Sequence, residues 1–158
     1  MVRRVSLEEL LRSKVIRRTR PNHTLALKSL RRAQRNVSTA KTLIKNGKFD
    51  WSLAISYNGM LQAGRALMLA RGYRPSSTEG HVAVVRFLHA SFGKEVRDKM
   101  VMALNGLRKK RHRIVYEEMD IVSEGEAEQA LRWAGEFIDR VDTVIHKYAG
   151  SNSRTPKS

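Results

Sequence analysis

Apolar residues recur every three or four positions along most of this chain, which is the spacing that places them on one face of an α-helix. Only three prolines interrupt its 158 residues, and helix-forming residues dominate. The pattern predicts an all-α fold. Because the predicted connections are short, neighbouring helices should run antiparallel, and we expect an up-and-down four-to-five-helix bundle with a short N-terminal helix.

Capping and breaking residues predict where the helices begin and end. Ser6 with Glu9 is a capping-box pattern that opens a short helix at about 7–17, which Arg20-Pro21 breaks. The third predicted helix is apolar nearly all round, so it should occupy the centre of the bundle. The second helix is expected from near Asn22 to Gly47, and the third from its cap at Asp50 to Gly72. The fourth is expected at about 78–91, with Gly93 as its end, and the fifth from about 94. The last helix should begin at the capping box of Ser123 and Glu126 and run to about Tyr148.

These boundaries predict three parts: an N-terminal basic helical extension at 1–20, a helical bundle at 21–149 and a disordered tail at 150–158. No run of eighteen apolar residues is present, so we expect no membrane span. The first residues, MVRRVSLEELLRSK, lack the apolar segment of a secretory signal. The absence of cysteine fits a reducing cytoplasm, which is the location that we expect.

The formal net charge of +16 is unevenly distributed along the chain. Residues 1–116 hold 26 Lys/Arg against 6 Asp/Glu, whereas residues 117–158 hold 5 against 9. A surface of this kind either binds a polyanion or docks an acidic helix of a second copy or of a partner. A solvated surface that keeps the protein soluble is the third interpretation, but the size of the charge favours a polyanion or an acidic partner.

The densest basic segment, RKKRHRIVY, ends the fifth predicted helix, and five of its first six residues are cationic. We expect a phosphate-binding patch there, formed by Arg108, Lys109, Lys110 and Arg113. No two histidines stand with Asp or Glu at metal-ligand spacing, and no Gly-rich phosphate loop is present. We therefore expect neither a metal nor another cofactor.

Four segments follow the second predicted helix in a characteristic order: GRALMLARGYRP, TEGHVAVVRF, RHRIVY and VSEGEAEQALRWAGEFIDRV. Over about residues 24–147 this order resembles the HEPN family, in its branch of small prokaryotic domains encoded beside minimal nucleotidyltransferases. The resemblance implies a helical bundle that pairs as a homodimer, with a nucleotidyltransferase antitoxin as a partner. In toxic members of the family it implies metal-independent ribonuclease activity in a cleft between the two copies.

The resemblance also implies which residues would act on RNA. The family motif is an Arg, a polar residue, three or more further residues and a His; Arg111 matches the Arg and His112 the polar position, while Tyr116 stands where the His is expected. A tyrosine with an ordinary pKa near ~10 is a weak base at neutral pH, so this departure favours binding over cleavage. His112 is the alternative base, on one helix face with Arg108 and Tyr116.

Other residues carry weaker signals. His81 is interpreted first as a histidine that caps or hydrogen-bonds at a helix start, and second as a site residue. Tyr57 is expected in the core, with its hydroxyl reaching a polar partner. A row of arginines on the second helix is either a solvated face or a site for a counter-anion, because like charges at this spacing mildly destabilise a helix. These arginines are Arg31, Arg32 and Arg35.

Three functions follow from the sequence, and whether the protein is an enzyme is left open among them. The first is a HEPN protein that forms a toxin–antitoxin-like pair with a nucleotidyltransferase. It would bind RNA or nucleotide phosphate through a basic dimer cleft, with or without metal-independent endoribonuclease activity. The second is a non-catalytic interaction module for the nucleotidyltransferase. The third is a nucleic-acid backbone binder without sequence preference.

Overall fold

The computed structural model describes residues 5–76, 80–91, 94–118 and 120–153, without the side chains of residues 94–97, 101 and 148–153. These residues form six α-helices and two short β-strands. In chain order the elements are α1 (Leu7–Arg12), β1 (Ile16–Arg18), α2 (His23–Lys45), α3 (Phe49–Arg71), β2 (Tyr73–Pro75), α4 (Gly80–Ser91), α5 (Lys94–Tyr116) and α6 (Glu124–Ser153).

The third long apolar segment became the central helix, as its composition predicted. α3 contacts α2, α4, α5 and α6, and residues on different sides of it, such as Met60, Leu61 and Ala66, are all buried. A helix with so little polar surface is stable only when other helices cover it on every side. The all-α bundle of four long helices with short additions is thereby confirmed. No helix in the described ranges combines the length and apolar character that crossing a membrane requires.

The first helix is shorter than the sequence predicted. α1 ends at Arg12 rather than at about 17, because Lys14 adopts a left-handed conformation with φ of 58° and turns the chain. β1 then pairs antiparallel with β2, with Ile16 opposite Pro75. Strands of three residues are too short to leave an alternating pattern, which is why this pair was not predicted.

The N-terminal segment packs on the bundle. Leu10 and Ile16 are buried in the same core as the long helices. The Thr19 N–H donates to the carbonyl of Gly72 at 2.9 Å, and a Cβ at Gly72 (φ 84°) would lie 2.7 Å from the Thr19 carbonyl oxygen. The close backbone approach therefore requires glycine there.

At the other end of the chain, α6 extends into the segment that was expected to be a disordered tail. α6 continues to Ser153, so residues 150–153 are helical, and residues 154–158 lie outside the described residues. The division of the chain into an extension, a bundle and a tail stays a prediction.

Asp50 does not cap α3 as expected. The N-cap residue of α3 is Lys48, and its side chain makes no capping hydrogen bond. The Asp50 carboxylate instead accepts the backbone N–H of Asp120 at 2.7 Å and of Val122 at 3.0 Å. This carboxylate therefore ties the connection between α5 and α6 to the start of α3, a long-range role that local spacing could not reveal.

Most of the other predicted boundaries are confirmed. The Asn22 side chain accepts the Leu25 N–H at 2.9 Å and so caps α2, and Gly47 follows the helix with φ of 70°. Ser123 and Glu126 form a reciprocal capping box at the start of α6, with hydrogen bonds of 3.1 and 3.2 Å. α4 is described over Gly80–Ser91, and residues 77–79 and Gly93, where its two ends were expected, lie outside the described residues.

Gly64 sets the distance between α3 and α4. A Cβ built at this position would lie 2.5 Å from Val84 Cγ1 and 3.1 Å from Leu88 Cδ1. Val84 is β-branched and buried, so it cannot rotate away from an added methyl group without disturbing the core. The absence of a side chain at Gly64 therefore brings the middle of α4 close to α3.

We predict that Gly64→Ala lowers the free energy of unfolding by about 1–3 kcal/mol, because overpacking outweighs the better helix propensity of alanine. Urea denaturation followed by circular dichroism measures the change. Gly135→Ala on α6 is the matched control, because nothing lies within 4 Å of its added Cβ. That variant should be unchanged or more stable by up to about 1 kcal/mol, and equal losses in both variants would refute the steric role of Gly64.

Candidate phosphate-binding site

Three helices bring a tyrosine, a histidine and three arginines together. α3 supplies Tyr57 and Arg65, the start of α4 supplies His81, and α5 supplies Arg108 and Arg111. We call these five residues the Tyr57 cluster. The Arg111 guanidinium carbon lies 5.8 Å from the centre of the Tyr57 ring, and the His81 ring meets the Tyr57 ring edge-on with centroids 6.1 Å apart. Both distances are those of direct cation–π and aromatic contacts.

The cluster extends from the protein surface into the core. Arg108 is exposed, Arg111, His81 and Arg65 are half-buried, and Tyr57 is fully buried. Arg65 lies beside the first residue of α4. Its Nη2 atom is 3.4 Å from the position that a Cβ on Gly80 would occupy.

Two donors in this cluster lack an acceptor. The Tyr57 hydroxyl and the Arg111 Nε are buried, and neither forms a hydrogen bond to the part of the chain that the structure describes. A buried polar group without a partner costs about 1–3 kcal/mol, so such groups in native proteins usually serve a ligand, a water or a strained function. An unpaired N–H and an unpaired O–H in a cluster of cations suit a ligand that is rich in acceptors and negatively charged.

Burial and charge act together on the two titratable rings. Burial raises the pKa of Tyr57 above its ordinary value, although Arg108, Arg111 and Arg65 oppose the shift. Burial also lowers the pKa of His81, and the same three arginines lower it further. At neutral pH the cluster therefore holds an uncharged phenol and an uncharged imidazole next to three guanidinium groups.

The structure separates the three residues that the family motif picked out as catalytic. Arg111 faces α3, whereas His112 and Tyr116 lie on the outer face of α5, with ring centroids 4.8 Å apart and with Tyr116 72% exposed. Successive residues of a helix are rotated by about 100°, so Arg111 and His112 point in different directions while His112 and Tyr116 share a face. His112 lines a shallow depression together with Arg108, Lys109 and Arg113.

Two of the four predicted phosphate ligands have carboxylate partners within the chain. The Lys110 Nζ lies 3.0 Å from Glu126 Oε2, and the Arg113 Nη2 lies 3.1 Å from both carboxylate oxygens of Glu118. The pKa of Glu126 is lowered, first by the hydrogen bond from the Ser123 backbone and then by Lys110. Phosphate binding by Lys110 or Arg113 would require these pairs to open, whereas Arg108 is the predicted ligand that belongs to the Tyr57 cluster. The phosphate-binding role of all four residues stays a prediction.

Sequence reasoning missed Arg65 and gave Tyr57 and His81 structural interpretations. The available signal was a tyrosine and an arginine about two turns apart in a helix that had to be central. A polar group in such a helix must have a partner, which makes it a candidate site residue. Among the described residues, no three His, Asp or Glu side chains are grouped as metal ligands.

We predict that the His81 imidazole titrates below about 6.5, the ordinary histidine pKa, in an NMR pH titration. Arg65→Gln should raise the pKa of His81 by removing one cation, and added phosphate should raise it by offsetting the arginines. Because the unfolded chain takes up the proton first as the pH falls below about 6.5, the native state loses stability in that range, and His81→Asn should lack this component. Titration of His81 at or above the ordinary value would contradict the assignment.

Comparison with known proteins gives a family for this chain. The HEPN domain family model matches residues 26–144, which is about three quarters of the sequence. No curated protein matches the chain. The match covers α3, α4 and α5, which supply every residue of the Tyr57 cluster, and it confirms the resemblance inferred from the order of the segments. The chain therefore belongs to the HEPN domain family.

Proposed function

We propose that this HEPN domain binds the phosphates of RNA at the Tyr57 cluster. The observation that carries the proposal is the pair of buried donors, the Tyr57 hydroxyl and the Arg111 Nε, which lack acceptors beside three arginines. Arg111 and Arg108 would hold phosphate oxygens through their planar guanidinium groups, which match that geometry with two parallel hydrogen bonds. Arg65 would add charge from the opposite side.

The proposal includes the assembly that is general for the family. HEPN proteins are associated with ribonuclease toxins, pair as dimers and are found with nucleotidyltransferases, and we extend this to a homodimer and a nucleotidyltransferase antitoxin here. Met102 and Tyr116 on the outer face of α5 are 75% and 72% exposed, which supports a partner on that face. A dimer built on α5 would bring two sets of basic residues to one cleft. A non-catalytic module that binds the nucleotidyltransferase would use the same face.

Metal-independent RNA cleavage is a second candidate, and the position of His81 favours it. An uncharged imidazole that contacts the same tyrosine ring as Arg111 has the properties of a general base near a cation that holds a phosphate. In the proposed step a ring nitrogen of His81 takes the proton of a 2′-hydroxyl, and the 2′-oxygen bonds to phosphorus while the bond to the 5′-oxygen breaks. The leaving oxygen takes a proton from water, and His81 later returns its proton to solvent. The products are a 2′,3′-cyclic phosphate and a 5′-hydroxyl.

We predict that Arg111→Gln weakens binding of a short single-stranded RNA by about tenfold or more, because it removes charge-assisted hydrogen bonds to phosphate. Fluorescence anisotropy with a labelled pentanucleotide measures the affinity. Arg132→Gln is the matched control, since Arg132 is exposed on α6, outside the Tyr57 cluster, and bonds to Gln129. Arg111→Lys should remain defective, because lysine keeps the charge but lacks the planar fork. Equal affinities for the Arg111→Gln and Arg132→Gln variants would contradict the proposal.

For cleavage, we predict that wild-type protein cuts RNA in the presence of EDTA and that His81→Asn abolishes cutting while binding persists. His112→Asn is the matched control, because it removes the same side chain from the outer face of α5 and should remain active. Gel analysis with 2′-deoxy substitution at the cut site tests the chemistry, since that substrate lacks the attacking group. An active His81→Asn variant, or an inactive His112→Asn variant, would exclude His81 as the base. A wild-type protein that binds but never cuts would reject the ribonuclease candidate alone.

A further inference from the structure

A basic groove lies beside the Tyr57 cluster, between α2, α3 and β2. Four cationic side chains line it, together with the apolar side chains of Leu25 and Leu69. The cations are Lys28 and Arg32 from α2, Arg65 from α3 and Arg74 from β2. The floor is closed by a hydrogen bond of 3.0 Å from the Ser29 hydroxyl to the Gln62 carbonyl, which fixes α2 against α3. We call this feature the α2–α3 groove.

Arg65 joins the groove to the Tyr57 cluster. It lines the groove and also acts electrostatically on both Tyr57 and His81. Its Nη2 atom lies 3.4 Å from the position of a Cβ on Gly80, next to His81, so Arg65 stands at the junction of the two features. A ligand bound at the cluster and longer than one phosphate group would pass Arg65 and enter the groove.

No ion pair among the described residues balances the positive charge of Lys28 and Arg32 in the groove. Residues 10–49, which include all of α2, hold twelve Lys/Arg and no Asp/Glu. In the described part of the structure no carboxylate pairs with Lys28 or Arg32, which stand one helical turn apart. Like charges at this spacing repel, and a solvated helix face usually intersperses both signs. An external anion would relieve that repulsion.

We propose that the α2–α3 groove binds the sugar–phosphate backbone of an RNA strand that extends from the Tyr57 cluster. The inference rests on the proposed function and deepens it, because it makes an oligonucleotide rather than a mononucleotide the ligand class. Lys28 and Arg32 are separated by about 6 Å along the axis of α2, so each can contact a different phosphate. Arg74 extends the groove onto β2.

The chemistry of the groove favours nucleic acid over an acidic protein segment. Its basic residues adjoin a cluster of donors suited to phosphate, and only a strand with evenly repeated charges would occupy both features at once. No aromatic side chain is among the residues that line the groove, so bases would not stack there. We therefore expect binding without sequence preference, with an affinity that falls steeply as salt increases.

The test compares two double variants with equal loss of charge on one helix. Lys28→Gln with Arg32→Gln alters the groove, whereas Lys41→Gln with Lys45→Gln removes two exposed cations at the same spacing farther along α2. Fluorescence anisotropy measures binding of a labelled 16-nucleotide single-stranded RNA at several salt concentrations. Isothermal titration measures binding of a dinucleotide, which is long enough for the Tyr57 cluster only. Circular dichroism checks that both variants are folded.

We expect the groove variant to bind the 16-nucleotide RNA about tenfold more weakly, with the slope of log affinity against log salt reduced in magnitude by roughly 1.4, since each lost contact to a single strand contributes about 0.7. Its affinity for the dinucleotide should remain that of the wild type. The Lys41/Lys45 variant should match the wild type with both ligands. Arg74→Gln, which changes a different element, should reproduce part of the loss.

Equal weakening in the two double variants would show an effect of net charge alone and would overturn the groove proposal. A groove variant that loses affinity for poly-glutamate but not for RNA would overturn it in favour of an acidic protein. If the dinucleotide binds in an Arg111-dependent way while the groove variant retains full affinity for the long RNA, the groove proposal fails and the proposed function stands. If the wild-type protein shows no binding of the dinucleotide, the proposed function itself is refuted.

Discussion

The close packing of α4 on α3 at Gly64 is the contact on which the candidate site depends. Because α3 is apolar nearly all round, every side of it must be covered, and Gly64 allows α4 to approach until Val84 would touch a β-carbon. That approach places His81, at the start of α4, against the edge of the Tyr57 ring. A larger residue at position 64 would separate the helices and with them the two rings. The packing of α4 on α3 in the core therefore also sets the distance between Tyr57 and His81 in the site.

Two carboxylates of this basic protein hold the end of α5 and its connection to α6. Asp50 accepts two backbone N–H groups of that connection, and Glu126 pairs with Lys110. Both arrangements place negative charge near the C-terminal end of α5, where it neutralises part of the basic run. Arg108 and Arg111, which both act electrostatically on Tyr57, pair with no carboxylate among the described residues. Within that part of the chain, the basic run is therefore neutralised at Lys110 and Arg113 but not at the two arginines that belong to the Tyr57 cluster.

The different directions of Arg111 and of the two rings that follow it change how the HEPN motif is interpreted in this chain. The linear motif treats Arg111, His112 and Tyr116 as one unit, but the helix sends Arg111 inward and the two rings outward. The residues that meet Arg111 come from α3 and α4, which are distant in sequence. In the cleavage that we propose as a second candidate, His81 from α4 would take the role of the base, although Tyr116 stands at the position where the family motif has a histidine. The outward rings are then available for a partner on α5.

The sequence by itself determined the helical class, the central position of α3, most helix ends and the excess of positive charge, because these follow from local periodicity, capping residues and composition. It also determined the HEPN family, through the order of its segments. Only the tertiary structure decided that Asp50 binds the α5–α6 connection, that β1 pairs with β2, and that Arg65 and His81 join Arg111 around Tyr57. These features depend on contacts between residues far apart in the chain. Local patterns specify which residues are polar but not which distant groups they meet once the helices pack.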